Sequence, residues 1–170
     1  METNITQRIT RLKPIPQKKL LRSFVSDETK KRIDVVYYFE KASGRILAKV
    51  VFGEEAQGPP GYAHGGAIAA VLDESMGAAS WLNGFMVMTA KLELNYLKAV
   101  PLHEKVFIEA WITEADEKKI HLHSRLIDKT GKPYSTGKGL FIKLSKERLK
   151  SLGPIPEGLL QQVQNGMSGV

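Results

Sequence analysis

One stretch of the chain reads as a long helix, Gly65–Leu82, and it is apolar on almost every side. Ile68, Val71, Leu72, Met76 and Ala79 return at helical spacing, and few of the remaining positions are strongly polar. Such a helix has to be covered by other elements. Everything around it reads as strand. Ile33–Glu40 is rich in β-branched and aromatic residues, Ala42-Ser43-Gly44 supplies a turn, and Arg45–Phe52 alternates Ile46, Ala48, Val50 and Phe52, so the two runs form a hairpin. Gly58-Pro59-Pro60-Gly61 marks a loop before the helix, and Asn83-Gly84 ends it. Four more strands are expected at Met86–Lys98, Glu104–Glu114, Lys119–Asp128 and Pro133–Leu144, joined by short connections that suit antiparallel pairing. The fold class is therefore α+β, with an antiparallel sheet of about six strands wrapped around one helix.

Composition narrows the function classes. The 170 residues are 42% apolar and 25% charged, which fits one globular domain with extensions. The expected layout is a basic N-terminal arm over 1–30, a domain over 31–145 and a C-terminal tail over 146–170. The most apolar run, Ala67–Leu82, is broken by Asp73, Glu74 and Ser75, which excludes it as a membrane span, for which roughly 18 apolar residues are needed. With no cysteine, disulfides, thiolate metal sites and cysteine nucleophiles are all excluded.

The net charge of +7 is concentrated in residues 1–32, where nine basic residues face Glu2, Asp27 and Glu28. No aromatic residues interleave with those charges in the manner of a base-stacking surface, so no nucleic-acid partner is expected. The segment lacks the apolar core of a secretory signal. Its scarcity of acid resembles a mitochondrial transit peptide, but Pro14 and Pro16 interrupt a long amphipathic helix. The expectation is an arm that packs Leu20, Leu21, Phe24 and Val25 on the domain of a cytoplasmic protein, with a mitochondrial location as the alternative.

Two features of the helix resist a packing explanation. Asp73 is a carboxylate among Ala69, Ala70, Val71, Leu72, Met76 and Gly77, where an unpartnered charge costs several kcal/mol. Its face, Gly66, Ala69, Ala70, Gly77 and Ser80, is made of small residues and leaves room for a ligand or another backbone. Adjacent Glu74 is expected in a short exposed patch. The second feature is the start at His64-Gly65-Gly66. Free N–H groups and aligned dipoles there favour negative charge, and the glycines let a substrate approach. Donors so placed stabilise a developing oxyanion by roughly 3–4 kcal/mol. Asp73 lies nine residues after His64, about half a turn round and about 13 Å along the helix. If the two cooperate, Asp73 has to come from a second copy running antiparallel across a two-fold axis. His121 and His123 share a strand face, with His103 nearby, but no fixed carboxylate or thiolate completes a metal site, and none is expected.

The run Gly58-Pro59-Pro60-Gly61-Tyr62-Ala63-His64-Gly65-Gly66-Ala67-Ile68-Ala69, then Asp73, then Val87-Met88-Thr89-Ala90-Lys91-Leu92-Glu93-Leu94-Asn95-Tyr96, resembles the hotdog-fold acyl-CoA thioesterases. The nearest branch is the one like thioesterase superfamily member 4, with the phenylacetate-degradation type as wider relatives. The resemblance implies a hotdog fold, a homodimer that can pair into a homotetramer, and hydrolysis of acyl-CoA with no cofactor beyond the CoA of the substrate. It implies Asp73 as general base or nucleophile, the Gly65 N–H as oxyanion donor, His64 holding the thioester end, and Thr89 orienting water with Asp73. Gly66 would lie against the substrate. Lys91, Lys98, Lys138 and Lys143 are candidates for the CoA phosphates, with Lys91 and Lys138 preferred, and Leu72, Met76, Trp81, Phe85 and Met86 for the acyl slot. One departure is Gly58, where many relatives carry Asn or Gln. A hotdog dehydratase is disfavoured because the proline-rich histidine motif is missing; a non-catalytic acyl-CoA-binding or regulatory protein is the alternative.

Overall fold

The computed structural model describes residues 4–16, 23–26, 29–145, 148 and 151. Its elements are a short helix α1 (Ile5–Thr10), strands β1 (Ile33–Glu40) and β2 (Arg45–Phe52), the long helix α2 (Gly65–Leu82), and strands β3 (Val87–Tyr96), β4 (Lys105–Ala115), β5 (Lys119–Ile127) and β6 (Pro133–Lys143). All six strands form one antiparallel sheet in the order β1-β2-β4-β5-β6-β3. The expected α+β arrangement, one helix held by a six-stranded sheet, is what forms.

Alternation along each strand explains why the sheet closes on α2. Val35 and Tyr37 of β1, Ile46, Ala48 and Val50 of β2, Ile108 and Ala110 of β4, Leu122 of β5 and Phe141 of β6 all face inward. They meet Ile68, Val71, Leu72, Met76 and Ala79, the helical positions of the sequence pattern, in one buried core. Each large side chain so buried contributes about 1.5–3 kcal/mol. Gly139 of β6 makes the contact close. A Cβ there would stand 3.0 Å from Met76 Sδ and 2.4 Å from Phe141 Cε2, so Met76 sinks onto the strand only because the side chain is missing.

The N-terminal arm departs from expectation. Part of its apolar contact is made by α1, which lays Ile5 and Ile9 on Tyr38, Leu47, Phe107 and Ile127, on the sheet face away from α2. Ile15 N–H then donates to Tyr37 O at 2.8 Å and ties the arm along β1. Val25 is buried as expected, but Phe24 is 87% exposed. Leu20 and Leu21 lie outside the described residues, as does nearly all of 146–170.

Glu74 is the reason Phe24 and Val25 part company, and it corrects the expected exposed patch. The carboxylate is half-buried and accepts from Ser23 Oγ (2.6 Å), Phe24 N (2.8 Å), Val25 N (3.3 Å) and Tyr37 Oη (2.8 Å). With both amides turned toward the helix, Val25 points in and Phe24 points out. Burial pushes the Tyr37 hydroxyl well above its usual range, and the Glu74 charge beside it adds to the shift. Glu74 is an internal anchor for the arm.

Candidate active site

The start of α2 is fixed by its own first residues. His64 is the N-cap, in extended backbone, and its Nδ1 accepts from Gly66 N–H at 2.9 Å. An accepting Nδ1 carries no proton, so the ring is the Nε2–H tautomer with that N–H directed outward. His64 O takes Ala67 N–H (3.0 Å) and Ile68 N–H (3.2 Å), which sets the peptide plane carrying the Gly65 N–H. That N–H donates to none of the described residues and sits at the positive end of the helix. The loop before it is equally constrained. A Cβ on Gly58 would fall 2.9 Å from His64 Cα, so a side chain there would force the backbone of the helix start to shift.

Asp73 sits two turns further along, half-buried on the side of α2 that faces β3. Its Oδ1 accepts from Thr89 Oγ1 at 2.9 Å. Burial holds the carboxyl above the ordinary aspartate range, the Thr89 hydrogen bond pulls it back, and the Glu74 charge pushes it up. Open space lies beside it, since a Cβ on Gly77 would meet nothing within 4 Å. The small-residue face thus borders free volume, although Ser80 of the same set is fully buried.

Strand β3 ties the start and the middle of the helix to one edge of the sheet. Thr89 contacts Asp73, and Tyr96 Oη donates to Gly65 O at 2.9 Å. Seven residues separate Thr89 from Tyr96, so in a regular strand they would face opposite ways. A bulge resolves the conflict. Thr89 pairs with Phe141 and Lys91 with Leu140, leaving Ala90 as the extra residue. Before it Val87 and Thr89 face the helix; after it Leu92, Leu94 and Tyr96 do. Tyr96 and the bulge had no assigned role in the sequence reading. The sequence carries no clear trace of the bulge, because Met86, Val87 and Met88 are all apolar and show no alternation before Ala90.

The remaining candidates do not converge. Lys91 ion-pairs with Glu93 at 2.7 Å, and Glu93 stands opposite Lys138 in register. By alternation these three lie on the sheet face away from Asp73, so one chain does not bring Lys91 or Lys138 to the start of α2. Lys143 Nζ donates to Asp116 O at 2.6 Å and covers Phe85 at 4.4 Å, and Lys98 is exposed. Leu72 and Met76 are fully buried in the core. Among the described residues no cluster of three metal-ligating side chains occurs; His123 packs edge-on against Trp111 instead.

Residues 60–134, which run from the loop before α2 into the start of β6, match the family model of the thioesterase superfamily. Over those residues the chain is similar to that superfamily. A rat relative, acyl-coenzyme A thioesterase THEM4, is 32% identical over 112 residues, 65% of this chain and 48% of that one. The chain thus spans about half the length of such curated relatives. The crystal structure of a thioesterase superfamily protein superimposes with a TM-score of 0.61 at 30% identity, covering 64% of this chain and 53% of the other. That of smu.793 from Streptococcus mutans, bound to acetyl CoA, gives 0.61 at 22% identity, covering 68% and 90%. The fold is the hotdog fold of these thioesterase structures.

Proposed function

We propose that this domain hydrolyses acyl-CoA thioesters at two equivalent sites, each shared between paired subunits. The observation that carries the reading is the placement of Asp73 relative to Gly65. A carboxylate with a raised proton affinity and a bound hydroxyl faces open space, and an unspent helix-terminal N–H lies eight residues away on the same helix. Both lean toward β3, so their separation is chiefly axial, about 12 Å. One thioester carbonyl cannot touch both. A second copy of α2 running antiparallel beside the first would set each Asp73 against the other chain's Gly65.

The edge of the sheet supports that pairing. β3 bonds to β6 on one side only among the described residues, and Met88, Tyr96 and Leu97 there are more than half exposed. In the paired arrangement Asp73 accepts a proton from water held by Thr89, the water oxygen attacks the thioester carbonyl, and Gly65 N–H receives the oxyanion. The thiolate of CoA departs without needing a strong general acid. With no side chain at Gly58 to polarise the carbonyl, the backbone donor and the outward Nε2–H of His64 carry that role. The names of the rat relative and its like, and the acetyl CoA held by the Streptococcus mutans neighbour, support CoA thioesters as the substrate class.

The test is thiol release from short, medium, long and aromatic acyl-CoAs by the whole chain, with Asp73→Asn as control. Turnover that disappears in the control is expected; turnover unchanged by it, or none with any substrate, would leave acyl-CoA binding without catalysis. Mixed Asp73→Ala and Gly65→Pro subunits are expected to recover part of the activity, because one of the two sites in a heterodimer is intact.

A further inference from the structure

On the sheet face away from α2, Glu109 of β4 is fully buried and surrounded by arginines. Its Oε1 accepts from Arg8 Nη1 (2.7 Å) and Arg45 Nη1 (2.8 Å) and its Oε2 from Arg125 Nε (2.9 Å), with Arg125 Nη2 ion-paired to Oε2 at 2.6 Å. Arg8 spends its other two nitrogens on Glu40, at 2.9 and 2.7 Å. Both carboxylates are satisfied by this set, and the arginines are not. Arg45 has Nε and Nη2 left, Arg125 has Nη1, and Arg11 makes no ion pair among the described residues. Four guanidinium groups face two carboxylates, an excess of two positive charges.

These side chains open into a cavity of about 690 Å³ between α1, the sheet and the β5–β6 turn. Ile5, Leu12 and Ile127 give it an apolar wall, and Thr130 and Gly131 close one end. Asn4 Nδ2 donates to Lys129 O at 3.0 Å and latches α1 to that turn, so the cavity is a built feature. The size lies within the roughly 300–1,000 Å³ of small-molecule sites. Arg45 is held 4.8 Å over the ring of Trp111, with Arg125 at 6.0 Å, and stacked guanidiniums keep their edges free for a ligand.

We infer that this cavity binds a small phosphorylated molecule, its phosphate on Arg11, Arg45 and Arg125 and its less polar body along Ile5, Leu12 and Ile127. Phosphate fits because planar guanidinium forks meet its oxygens in pairs and the site lacks two negative charges. The site lies on the far face of the sheet from Asp73 and does not depend on the reading of the thioesterase chemistry.

Calorimetric titration of the whole chain with inorganic pyrophosphate, and separately with ADP, tests the assignment, and the arginine variants of this cavity tell its binding from binding in the cleft beside α2. One saturable site per chain is expected, weakened about tenfold by Arg11→Gln and by Arg45→Gln. Tighter binding of ADP than of pyrophosphate would identify a nucleotide-like body, and equal binding a phosphate-only ligand. Arg11 is exposed and unpaired, so its variant reports on the site without disturbing the fold, as unchanged melting and unchanged thiol release will show. Absence of saturable binding with both probes, or binding untouched in both variants, would overturn the inference.

Discussion

The hydroxyl of Tyr96 sits 2.9 Å from the carbonyl oxygen of Gly65, so the peptide unit between Gly65 and Gly66 is held at both ends, by Tyr96 on its oxygen and by His64 Nδ1 on its N–H. The first turn of α2 cannot rock without breaking one of them. Tyr96→Phe keeps the ring and removes the bond. A neutral hydrogen bond contributes about 0.5–1.5 kcal/mol, so kcat for acyl-CoA is expected to fall about two- to tenfold with KM little changed. Steady-state thiol release at saturating substrate measures it, with unchanged melting as the sign that the fold is intact.

Asp73 is held above the ordinary aspartate range chiefly by burial. As the ionised base it gives activity that rises with pH through that elevated value and levels off above it. Thr89 lowers the proton affinity by donating to Oδ1, so Thr89→Val is expected to move the acid limb of the kcat profile to higher pH, and Thr89→Ser to leave it in place.

The same shift has a stability consequence. A carboxyl whose folded pKa is raised favours the folded state at pH below its unfolded value, and that contribution is lost as pH rises through the folded value. At neutral pH the Asp73 charge is thus a cost to folding. Asp73→Asn is expected to abolish turnover and raise the melting temperature at pH 7, with the gain vanishing at acid pH; thermal scans at two pH values decide it.

Glu109 has the opposite sign. Burial pushes its carboxyl up, but hydrogen bonds from Arg8, Arg125 and Arg45 outweigh that and leave it lowered. Its contribution is present above the ordinary glutamate range and is lost as pH falls through the lowered value. Glu109→Gln removes the ion-pair partner of Arg45 and Arg125, while Arg8 keeps Glu40, and is expected to cost about 1.5–3 kcal/mol in urea unfolding at pH 7, the range of a hydrogen bond to a charged group.

Both termini of α2 were legible in the sequence because their determinants are local: a capping histidine with two glycines at one end, Asn83-Gly84 at the other. The hairpin of β1 and β2 was legible for the same reason, its turn chemistry lying between two periodic runs. Glu74 was misread because its partners, the amides of Phe24 and Val25, lie about fifty residues away and leave no periodic trace. α1 has only six residues, too few to show a helical repeat, and the arginine ring around Glu109 joins residues from one helix and three strands. The pairing of Asp73 with Thr89 was implied by resemblance, and its geometry had to await the bulge at Ala90.

That bulge sets a rule for anyone recombining this domain with others. Tyr96 stands seven positions after Thr89, an odd offset, and the two reach the helix together only because one residue between them, Ala90, is taken out of phase. A chimera joined within this strand has to inherit the bulge along with the two hydroxyls. A junction that keeps Ala90 but pairs it as a regular strand residue would turn one hydroxyl to the far face of the sheet.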